Sequence, residues 1–518
     1  MARNKNAGIR HRSNAGSGRI ESRDEIVQEM NQLNQPDILA GYIPSELSHD
    51  IERKSWHYTL GGKDVTISAP SLSPEQLQAL AAQLKVRQQQ YLSTLSVDYI
   101  VEVIAAAIER MLDRQDELRK QAEQLLPIIT GYAPEMVRLG LTTYLKNFRR
   151  PQLLRFLQED FQNYSILDDF RPTVKGGFCK AYGPVLSVHI WAGNVPGLPL
   201  WSLVSALLVK SAIIGKLPTA EPLFTGLFVQ ALADIDRKLA DCIAIVWWQG
   251  GDELREDVLF SQAELVLAYG SNTTLASIRR RVPIETRLIE YGSKLSLALI
   301  GREALEVGKV WKTAHAAAMD IIAYDQQGCY SPHFLYVEGG GAVSAKQFTY
   351  YVAHELEALE FKYPRRELSI EELARWAGYK RELQLLDWEH EATQHVIGQE
   401  RHNWTVVYES KGSLKPSPLD RFITIAAIPQ LEGVTEQLAA YRPYLQTAGV
   451  AATPKRLFSL AELLGAAGVT RISALGKMSA PEAGWHHDGR FNLADLVRMV
   501  DIELGAELAA EQYTAYCD

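Results

Sequence analysis

Apolar residues recur at helical spacing through the first third of the chain. Val101, Ile104, Ala105 and Ile108 are typical of one buried face of a helix. The spacing therefore predicts a mostly helical region over residues 24–172, and we assign no chemistry to it.

A hairpin and a clear helix start are predicted inside this region. Residues 58–67 carry two short β-prone runs around a Gly-Gly pair, which is typical of a hairpin. Ser73 then precedes Pro74 and Gln76. Serine can cap a helix, proline fits the first turn and glutamine completes a capping box, so a helix is expected to begin here.

After Arg171 the pattern changes to alternating strands and helices. Strands are predicted at 185–190, 211–214, 242–248 and 265–269, and helices at 200–208, 222–234, 257–261 and 274–281. This rhythm predicts a parallel sheet with helices on both faces. Such sheets bind ligands at the carboxyl ends of their strands, which directs attention to the loops 192–196, 216–219 and 270–273.

The segment Asp325 to His333 is the strongest candidate for chemistry. It follows an apolar helix predicted at 314–324 and precedes a strand predicted at 334–337, which places Cys329 at a helix-to-strand junction. Thiolates are good nucleophiles, and backbone N–H groups at such a bend can lower the pKa of a thiol. The alternative is a buried structural cysteine.

Composition narrows the class of protein. The chain has 518 residues, of which 47% are hydrophobic and 22% charged, so two or three domains with sizeable cores are expected. The net charge of −8 argues against a general nucleic-acid partner. Four widely spaced cysteines without a C-x-x-C pair suit neither zinc nor a disulfide framework, and favour a reducing, cytoplasmic setting.

Neither an export signal nor a membrane span is predicted. Residues 1–23 are basic and lack an apolar core, so we expect a disordered basic tail, with a docking arm as the alternative. The most apolar stretch, residues 198–214, is short for a span and contains Lys210, which favours a buried helix.

A nucleotide-binding turn is a further candidate. The usual G-x-G-x-x-G fingerprint and the P-loop are both absent. However, Gly270-Ser271-Asn272-Thr273 follows a predicted strand and precedes a predicted helix. Backbone and hydroxyl donors at a helix N-terminus suit a pyrophosphate, although an ordinary turn has the same composition.

Four motifs, in the expected order, resemble the aldehyde dehydrogenase superfamily and, within it, the LuxC-like long-chain fatty acyl-CoA reductases. They are Ala192-Gly193-Asn194-Val195-Pro196, Gly215-Lys216-Leu217-Pro218-Thr219, Tyr269-Gly270-Ser271-Asn272 and Gln327-Gly328-Cys329. The tail from Gly484 to Arg490 resembles the acyl-CoA reductase branch, and the whole resemblance spans about Asp24 to the C-terminus.

The resemblance implies a role for each motif. Cys329 would attack the acyl carbonyl, and Asn194 with the backbone N–H of Cys329 would hold the oxyanion. Lys216 would contact the adenosine ribose. Thr219 stands where many relatives place a glutamate, and a hydroxyl tolerates a 2′-phosphate that a carboxylate would repel, which favours NADPH over NADH. Glu221 would take the glutamate's place if the loop were longer.

The remaining implied site residues are less specific. Gly270, Ser271 and Asn272 would bind the pyrophosphate. Glu290 lies in a segment that resembles the superfamily loop carrying the general base, but a base that activates water would waste the acyl-enzyme of a reductase. Glu290 could instead point away, assist the thiol or deliver a proton, or be a solvated loop carboxylate.

Histidines and one further loop complete the candidates. His333, His486 and His487 suggest a general acid because histidine titrates near neutral pH, but His333 is not expected to be essential and His487 could be structural. The segment Ser417 to Phe422 resembles a family loop near the nicotinamide end of the cofactor.

The expected architecture is an α/β, aldehyde-dehydrogenase-like fold with a parallel-sheet cofactor domain, an α/β catalytic domain and a helical N-terminal region. The predicted divisions are a tail at 1–23, a cofactor-binding domain at 24–294, a catalytic domain at 295–450 and a C-terminal segment at 451–518. A homo-oligomer is expected from the resemblance alone.

The leading functional hypothesis is NADPH-dependent reduction of a long-chain acyl-CoA to the fatty aldehyde through a cysteinyl acyl-enzyme. An acylated carrier or synthetase protein is an alternative acyl donor. Two other functions stay open: a hydrolytic aldehyde dehydrogenase, which Glu290 would favour, and a silent scaffold subunit of an acyl-transfer complex, which the presence of Cys329 and Asn194 argues against.

Overall fold

The computed structural model of the chain describes residues 38–44, 51–389, 394–398, 402–410 and 415–514. The predicted tail at 1–23 lies outside the described residues, as does Cys517. The described strands form four sheets, of which a five-stranded and a seven-stranded sheet are the largest.

The strands are numbered in chain order. They are β1 (Ile38–Leu39), β2 (Glu52–Leu60), β3 (Lys63–Ser71), β4 (Arg171–Pro172), β5 (Phe178–Tyr182), β6 (Leu186–Ile190), β7 (Ala212–Lys216), β8 (Ile243–Val246), β9 (Leu265–Tyr269), β10 (Arg287–Tyr291), β11 (Leu295–Ile300), β12 (Pro332–Glu338), β13 (Gln394–Ile397), β14 (Thr405–Glu409), β15 (Phe422–Ile428), β16 (Leu445–Ala451), β17 (Arg471–Ala474) and β18 (Arg498–Ile502).

The α-helices are numbered in the same way. They are α1 (Pro74–Gln90), α2 (Val97–Leu112), α3 (Glu117–Thr130), α4 (Pro134–Leu145), α5 (Arg150–Phe161), α6 (Leu200–Leu208), α7 (Phe224–Ala233), α8 (Arg237–Ala240), α9 (Glu253–Gln262), α10 (Asn272–Arg281), α11 (Val310–Ile322), α12 (Ala345–Glu360), α13 (Ile370–Glu389), α14 (Val434–Leu438), α15 (Pro454–Ala467) and α16 (Leu504–Glu511). Short 3₁₀ turns connect several of them, including Ala323–Gln326 before β12.

The N-terminal region confirms the predicted hairpin and helix start. β2 and β3 pair antiparallel across the Gly-Gly turn. The N–H of Gln76 donates to the Ser73 hydroxyl at 3.2 Å, and the N–H of Ser73 donates to the Gln76 side chain at 2.8 Å. This reciprocal capping box satisfies two N–H groups that the first turn would otherwise leave unpaired, so α1 begins where the sequence predicts.

The five-stranded sheet has the order β10-β9-β6-β7-β8, and every pairing in it is parallel. Buried apolar side chains cover both faces, as the predicted alternation of strands and helices requires. The chain leaves β6 toward β7 on one side, and β9 lies on the other. The loops that follow β6 and β9 therefore meet at a point where the strand order reverses, which is the usual ligand position in such sheets.

The seven-stranded sheet has the order β13-β14-β15-β12-β11-β16-β17, parallel except where β13 meets β14. Two apolar clusters cover its faces. The register of β11 shifts between Ser296 and Leu297 against β12, and in the same region against β16. This irregularity lies beside the candidate nucleophile.

The C-terminal part of the chain is shared between two sheets. β17 extends the seven-stranded sheet, whereas β18 pairs antiparallel with β5 in a three-stranded sheet that also contains β4. Residues after 451 therefore contact both halves of the molecule. The division into four segments stays a prediction.

Of two predicted helices, one lies where it is expected and the other has different bounds. The apolar stretch 198–214 contains the buried helix α6 and then enters β7, so the expected buried helix is confirmed. The helix expected at 314–324 runs from Val310 to Ile322 instead. It ends early because Tyr324 has a left-handed backbone, with φ of 48°, which a right-handed helix excludes.

Among the described residues, no helix is by itself long and apolar enough to cross a membrane. The stretch Pro74–Thr94 and α2 meet that criterion only as a pair bent by 106°.

Candidate active site

A cavity of about 550 Å³ lies between the two large sheets and contains the predicted nucleophile. Its lining includes the loops after β6 and β9, the turn before β12 and part of the C-terminal segment. One wall is apolar and aromatic, formed by Met136, Leu139, Tyr144, Leu198, Trp201 and Met319. A cavity with an apolar wall and a few converging polar groups is the form that small-molecule sites usually take.

A hydrogen bond to the backbone carbonyl of Cys329 holds this residue in the cavity. The Ser296 hydroxyl on β11 donates to the carbonyl of Cys329 at 2.8 Å and accepts the N–H of Thr447 on β16 at 3.2 Å. Ser296 is fully buried, so both bonds are shielded from water. The irregular register of β11 thus has a consequence: one hydroxyl fixes the nucleophile loop to two neighbouring strands.

The pKa of the Cys329 thiol contradicts the expectation from the sequence. Burial, followed by the negative charge of Asp488, raises this pKa to about 12. The nearby Gln446 amide, the charge of Arg471 and the backbone N–H of Cys329 act in the opposite direction. The expected lowering by a backbone N–H is present at Cys329, but the cost of burying a thiolate outweighs it, so the net pKa is raised. The thiol is protonated at neutral pH.

Asn194 is brought directly to the nucleophile loop. Its side-chain N–H₂ donates to the carbonyl of Gln327, two residues before Cys329, at a separation of 133 residues along the chain. The Tyr132 hydroxyl donates to the backbone carbonyl of Asn194 at 2.9 Å and fixes the loop from the other side. Asn194 and Cys329 line the same cavity although Asn194 follows β6 of one sheet and Cys329 precedes β12 of the other.

The turn before Cys329 has an unusual backbone. Tyr324, Asp325 and Gln326 have φ of 48°, 50° and 64°. A second run of three residues, Leu419 to Arg421, has φ of 70°, 56° and 63°. Non-glycine residues in this region cost about 1–2 kcal/mol each, so other interactions must hold both runs in place.

A buried network of charges provides those interactions. Arg421 donates to Asp325 at 2.6 Å and to Glu360 at 2.6 Å, and both Arg421 and Asp325 are at most 2% exposed. The backbone N–H of Asp420 donates to the carbonyl of Asp325 at 3.0 Å, which joins the two left-handed runs directly. Gln327, just after the first run, also donates to Asp420 at 2.9 Å. The segment Ser417 to Phe422 thus supports the nucleophile loop, and Leu419 also lines the cavity.

The predicted ribose loop lies at the end of β7. Lys216 is the last residue of that strand, its ammonium is 5.7 Å from the centre of the Trp248 ring, and burial lowers its pKa. Thr219 is exposed, and its hydroxyl accepts a long bond of 3.4 Å from the Trp247 indole. The exposed hydroxyl remains accessible to a ligand.

Glu221 points away from that surface. It is 1% exposed, and its carboxylate accepts the N–H groups of Leu223 and Phe224 at 2.8 Å and of Gly197 at 3.2 Å. Burial nevertheless raises its pKa to about 7. With these bonds made inside the protein, Glu221 connects the ribose loop to the loop that carries Asn194.

The predicted pyrophosphate turn has the expected form. Ser271 caps α10 by accepting the N–H of Thr274 at 3.2 Å. Asn272 accepts the N–H of Ser293 at 3.3 Å and so joins the turns after β9 and β10. Gly270 lines the cavity, whereas Ser271 and Asn272 are exposed beside it.

Glu290 does not line the cavity. It lies in β10, and its carboxylate pairs with the Arg279 guanidinium on α10. The next residue, Tyr291, points the other way and lines the cavity, as alternation along a strand requires. The structure therefore brings Cys329 and Asn194 together and leaves Glu290 apart from them.

The histidines near the cavity are neutral at neutral pH. His487 stacks on Tyr291 with ring centres 4.3 Å apart, and Tyr291 stacks on Tyr269 at 4.8 Å. Burial lowers the pKa of His333 and of His487 to about 4. Neither ring is therefore a protonated acid at neutral pH.

Sequence reasoning missed several residues beside the nucleophile. Ser296, Gln446 and Arg471 come from strands whose local sequence shows no sign of chemistry. Asp488 falls within the tail motif, where the sequence suggests for it, with His487, a structural role. Arg471 lies over the Tyr330 ring at 4.4 Å, next to Cys329. No local signal identifies these residues, because the pairing of strands places them there.

Comparison with known proteins gives a consistent result. A family model described as "Acyl-CoA reductase (LuxC)" matches residues 92–499. The Long-chain acyl-protein thioester reductase 2 of Photobacterium leiognathi is 26% identical over 380 residues, covering 72% of this chain and 75% of that protein. The Long-chain acyl-protein thioester reductase of Photobacterium phosphoreum is 22% identical over 449 residues, covering 84% and 86%.

Solved structures with a similar fold are aldehyde dehydrogenases. Aldehyde dehydrogenase 21 from Physcomitrella patens, in complex with the reaction product succinate, has a TM-score of 0.69 at 12% identity and covers 91% of this chain and 99% of its own. The NADP-dependent glyceraldehyde-3-phosphate dehydrogenase from Bacillus halodurans C-125, complexed with NADP, has a TM-score of 0.65 at 12% identity, covering 91% and 100%. These similarities confirm the predicted fold.

Proposed function

The chain belongs to the acyl-CoA reductase (LuxC) family, and on that premise we propose that it reduces a long-chain acyl thioester to the fatty aldehyde, with NADPH, through an acyl-enzyme on Cys329. One observation carries the proposal. The loops that hold Asn194 and Cys329 adjoin strands of different sheets, yet they meet in one cavity with an apolar wall.

The first chemical step is attack by Cys329 on the acyl carbonyl. The tetrahedral intermediate places negative charge on the carbonyl oxygen, and the Asn194 side chain can turn its N–H₂ from the Gln327 carbonyl to that oxygen. The thiol of the acyl donor then leaves, and the acyl group remains on Cys329. The proton that Cys329 loses leaves with the donor's sulfur as a free thiol. Exchange between thioesters is nearly isoenergetic, so the acyl group needs no prior activation, which a free carboxylate would need.

The cavity favours a fatty acyl group over a small one. Its apolar wall runs from α4 to the start of α6 and can cover a hydrocarbon chain. The relatives from Photobacterium are named acyl-protein thioester reductases. We therefore include an acylated protein beside acyl-CoA as a donor for this chain.

The residues on the cofactor side fit NADPH. The capped N-terminus of α10 offers N–H and hydroxyl donors to a pyrophosphate. Thr219 presents an exposed hydroxyl at the ribose end, while the neighbouring carboxylate of Glu221 is buried. When bound, NADPH supplies the hydride that reduces the acyl group.

The position of Glu290 supports reduction over hydrolysis. Its pairing with Arg279 on α10 holds the carboxylate outside the cavity. A base placed there does not activate water at the acyl carbon, so the acyl-enzyme is preserved for the hydride. We assign Glu290 no catalytic step.

The central test is acyl-dependent oxidation of NADPH. Purified protein is mixed with a panel of acyl-CoAs and with an acylated carrier protein, and the loss of NADPH and the release of free thiol are followed. We expect both with long acyl chains, and neither with Cys329→Ala. Aldehyde oxidation without a thiol acceptor would support the hydrolytic alternative, and a folded protein without turnover would support the scaffold alternative.

Cofactor preference is tested separately with Thr219→Glu. The new carboxylate would repel a 2′-phosphate, so we expect kcat/KM with NADPH to fall about tenfold or more, since hydrogen bonds to charged groups contribute about 1.5–3 kcal/mol. Activity with NADH should change less. Equal losses with both cofactors would contradict the assignment of Thr219.

The oligomeric state stays a prediction. A homo-oligomer is expected from the family, and light scattering of the purified chain measures it directly.

A further inference from the structure

One face of α4 lines the cavity along most of the helix. Its lining residues are Met136, Leu139, Gly140, Thr143 and Tyr144. They recur three or four residues apart, which is the spacing of one helix face, and they span about 12 Å along the axis. On the opposite face, Val137, Leu141 and Leu145 are fully buried. α4 is therefore a fixed wall for any molecule that enters the cavity.

Gly140 lies in the middle of this face, at the point where the Tyr324 side chain approaches the helix. A Cβ atom on Gly140 would overlap the hydroxyl oxygen of Tyr324 and would lie 3.1 Å from the ring carbon Cε2. Tyr324 belongs to the turn before Cys329 and also lines the cavity. Its ring therefore reaches from the nucleophile turn to the backbone of α4, and it can do so only because residue 140 has no side chain.

The left-handed backbone of Tyr324 directs this ring towards α4. Its φ and ψ are 48° and 37°, whereas a right-handed backbone would continue α11 and send the side chain in another direction. The next residue holds the turn, because Asp325 accepts the N–H of Asp420 at 3.0 Å and pairs with Arg421 at 2.6 Å. The unfavourable backbone thus fixes the position of an aromatic ring inside the cavity.

The Tyr324 ring has little freedom on its other side. The Tyr132 ring packs edge-on against it, with ring centres 5.3 Å apart, and the Tyr132 hydroxyl is bonded to the carbonyl of Asn194. Tyr132 is 5% exposed, so it cannot move aside into solvent. A group added at Gly140 would therefore displace the Tyr324 ring into the cavity, where there is space.

We infer that Tyr324 is a specificity-determining residue that limits the length of the acyl chain, and that Gly140 sets the position of its ring. The inference rests on the proposed function and names residues that select among its acyl donors. A ring that closes the space beside α4 leaves the last methylene groups of a longer chain without apolar contacts. Each such group costs about fourfold in affinity relative to a buried one.

The test compares hexadecanoyl-CoA with octanoyl-CoA in steady-state reduction with NADPH. The readout is the kcat/KM with hexadecanoyl-CoA divided by that with octanoyl-CoA, so a loss of activity or stability common to both donors cancels. Tyr324→Ala enlarges the cavity and should raise this ratio about fourfold for each further methylene group that it covers. Gly140→Ala displaces the ring into the cavity and should lower the ratio by a similar factor. Tyr324→Phe keeps the ring and should keep the wild-type ratio.

A double variant shows whether Gly140 acts through the ring. If it does, Gly140→Ala should no longer lower the ratio in the Tyr324→Ala background. The matched control is Gly378→Ala in the middle of α13, where nothing lies within 4 Å of an added Cβ and the residue does not line the cavity. This control should keep the wild-type ratio.

Two results would overturn the inference. One is a wild-type ratio in Tyr324→Ala, and the other is an equal fall caused by Gly140→Ala in both backgrounds. If Gly140→Ala does not fold, the comparison of Tyr324→Ala with Tyr324→Phe decides, and equal ratios in these two variants overturn the inference.

A binding measurement separates this result from that of the proposed function. Calorimetric titration of the same two acyl-CoAs into Cys329→Ala, alone and combined with each cavity variant, needs neither cofactor nor turnover. The preference for hexadecanoyl-CoA should change in the directions given above. If the wild type reduces no thioester but the binding preference changes as expected, the inference stands and the proposed function fails. If the wild type reduces thioesters and neither measurement changes in Tyr324→Ala, the function stands and the inference fails.

Discussion

The loops assigned to the cofactor and the loop that carries Cys329 are held by different kinds of contact. On the cofactor side, many of the contacts are local: Ser271 bonds to the N–H three residues later, and Glu221 bonds to N–H groups two and three residues later. Glu221 also accepts the N–H of Gly197, and the Tyr58 hydroxyl donates to the Thr219 carbonyl from a distant strand. On the nucleophile side, Asp325 bonds to Arg421 across 96 residues, and Gln327 bonds to Asp420 across 93.

The difference has a physical origin. A turn that receives a flexible ligand can be formed by caps and backbone geometry that a short sequence encodes. A nucleophile needs its backbone fixed in one position, and here that position includes residues with positive φ. Such a backbone persists only where surrounding contacts determine it, and these contacts come from distant parts of the chain.

Breaking the nucleophile-side network should have the largest effect on stability. Arg421→Met leaves Asp325 as a buried charge without its main partner, which typically costs about 3–5 kcal/mol. We expect a marked fall in Tm and in urea resistance, together with loss of reductase activity. Arg150→Met, which breaks the exposed ion pair with Glu102, is the control and should leave Tm nearly unchanged. Similar decreases in Tm in both variants would mean that the buried network stabilises the protein no more than an exposed ion pair does.

Removing the predicted oxyanion donor should affect the rate and leave the fold intact. Asn194→Ala should raise the barrier by about 2.7–4 kcal/mol, which lowers kcat by about 10²–10³-fold. Steady-state kinetics with the best acyl donor measure this decrease in kcat. Tyr132→Phe removes only the bond to the backbone carbonyl of Asn194, so a smaller loss is expected. If Asn194→Ala changed KM alone, Asn194 would be a binding residue.

Glu221 allows the effect of burial on the pKa of a cofactor-side carboxylate to be tested through protein stability. Its folded pKa of about 7 lies above the reference value of 4.5. The folded state therefore holds the proton more tightly than the unfolded state, so this group's contribution to stability is full below about pH 4.5 and is lost as pH rises to about 7. Glu221→Gln should remove that decline. Thermal melts from pH 4 to pH 8 measure how Tm depends on pH in both proteins. The same dependence of Tm on pH in Glu221→Gln and in the wild type would contradict a raised pKa of Glu221.

The smallest effect is expected from the local cap. Ser271→Ala should cost about 1 kcal/mol of stability, as N-cap losses typically do, and should weaken NADPH binding modestly. Ser344→Ala removes the equivalent cap of α12, away from the predicted cofactor loops. It should cost similar stability without changing cofactor affinity, and calorimetric titration distinguishes the two variants. Equal affinities would mean that the Ser271 turn does not contact the cofactor.

Much of the fold could be predicted from local pattern. Strand β9 and helix α6 have the predicted bounds, and the capping box before α1 forms as expected. The order of the four motifs was sufficient to identify the family. These features depend on neighbouring residues, so the local sequence contains the information.

The site itself could be predicted only in part. The sequence placed Asn194 and Cys329 on separate loops, and their approach through Gln327 required both sheets. It left Glu290 open between several roles, and only packing against α10 paired it with Arg279. It offered no indication of Ser296, which bonds to the carbonyl of Cys329 and to Thr447 because β11 lies beside β16.

The amino-acid sequence by itself determined the elements, the motif loops and the family, since spacing and turn chemistry act over a few residues. The tertiary structure decided the raised pKa of Cys329, the orientation of Glu290 and the partners of the left-handed runs. Burial and charge at a point depend on every segment that packs around it, and those segments are hundreds of residues apart in places.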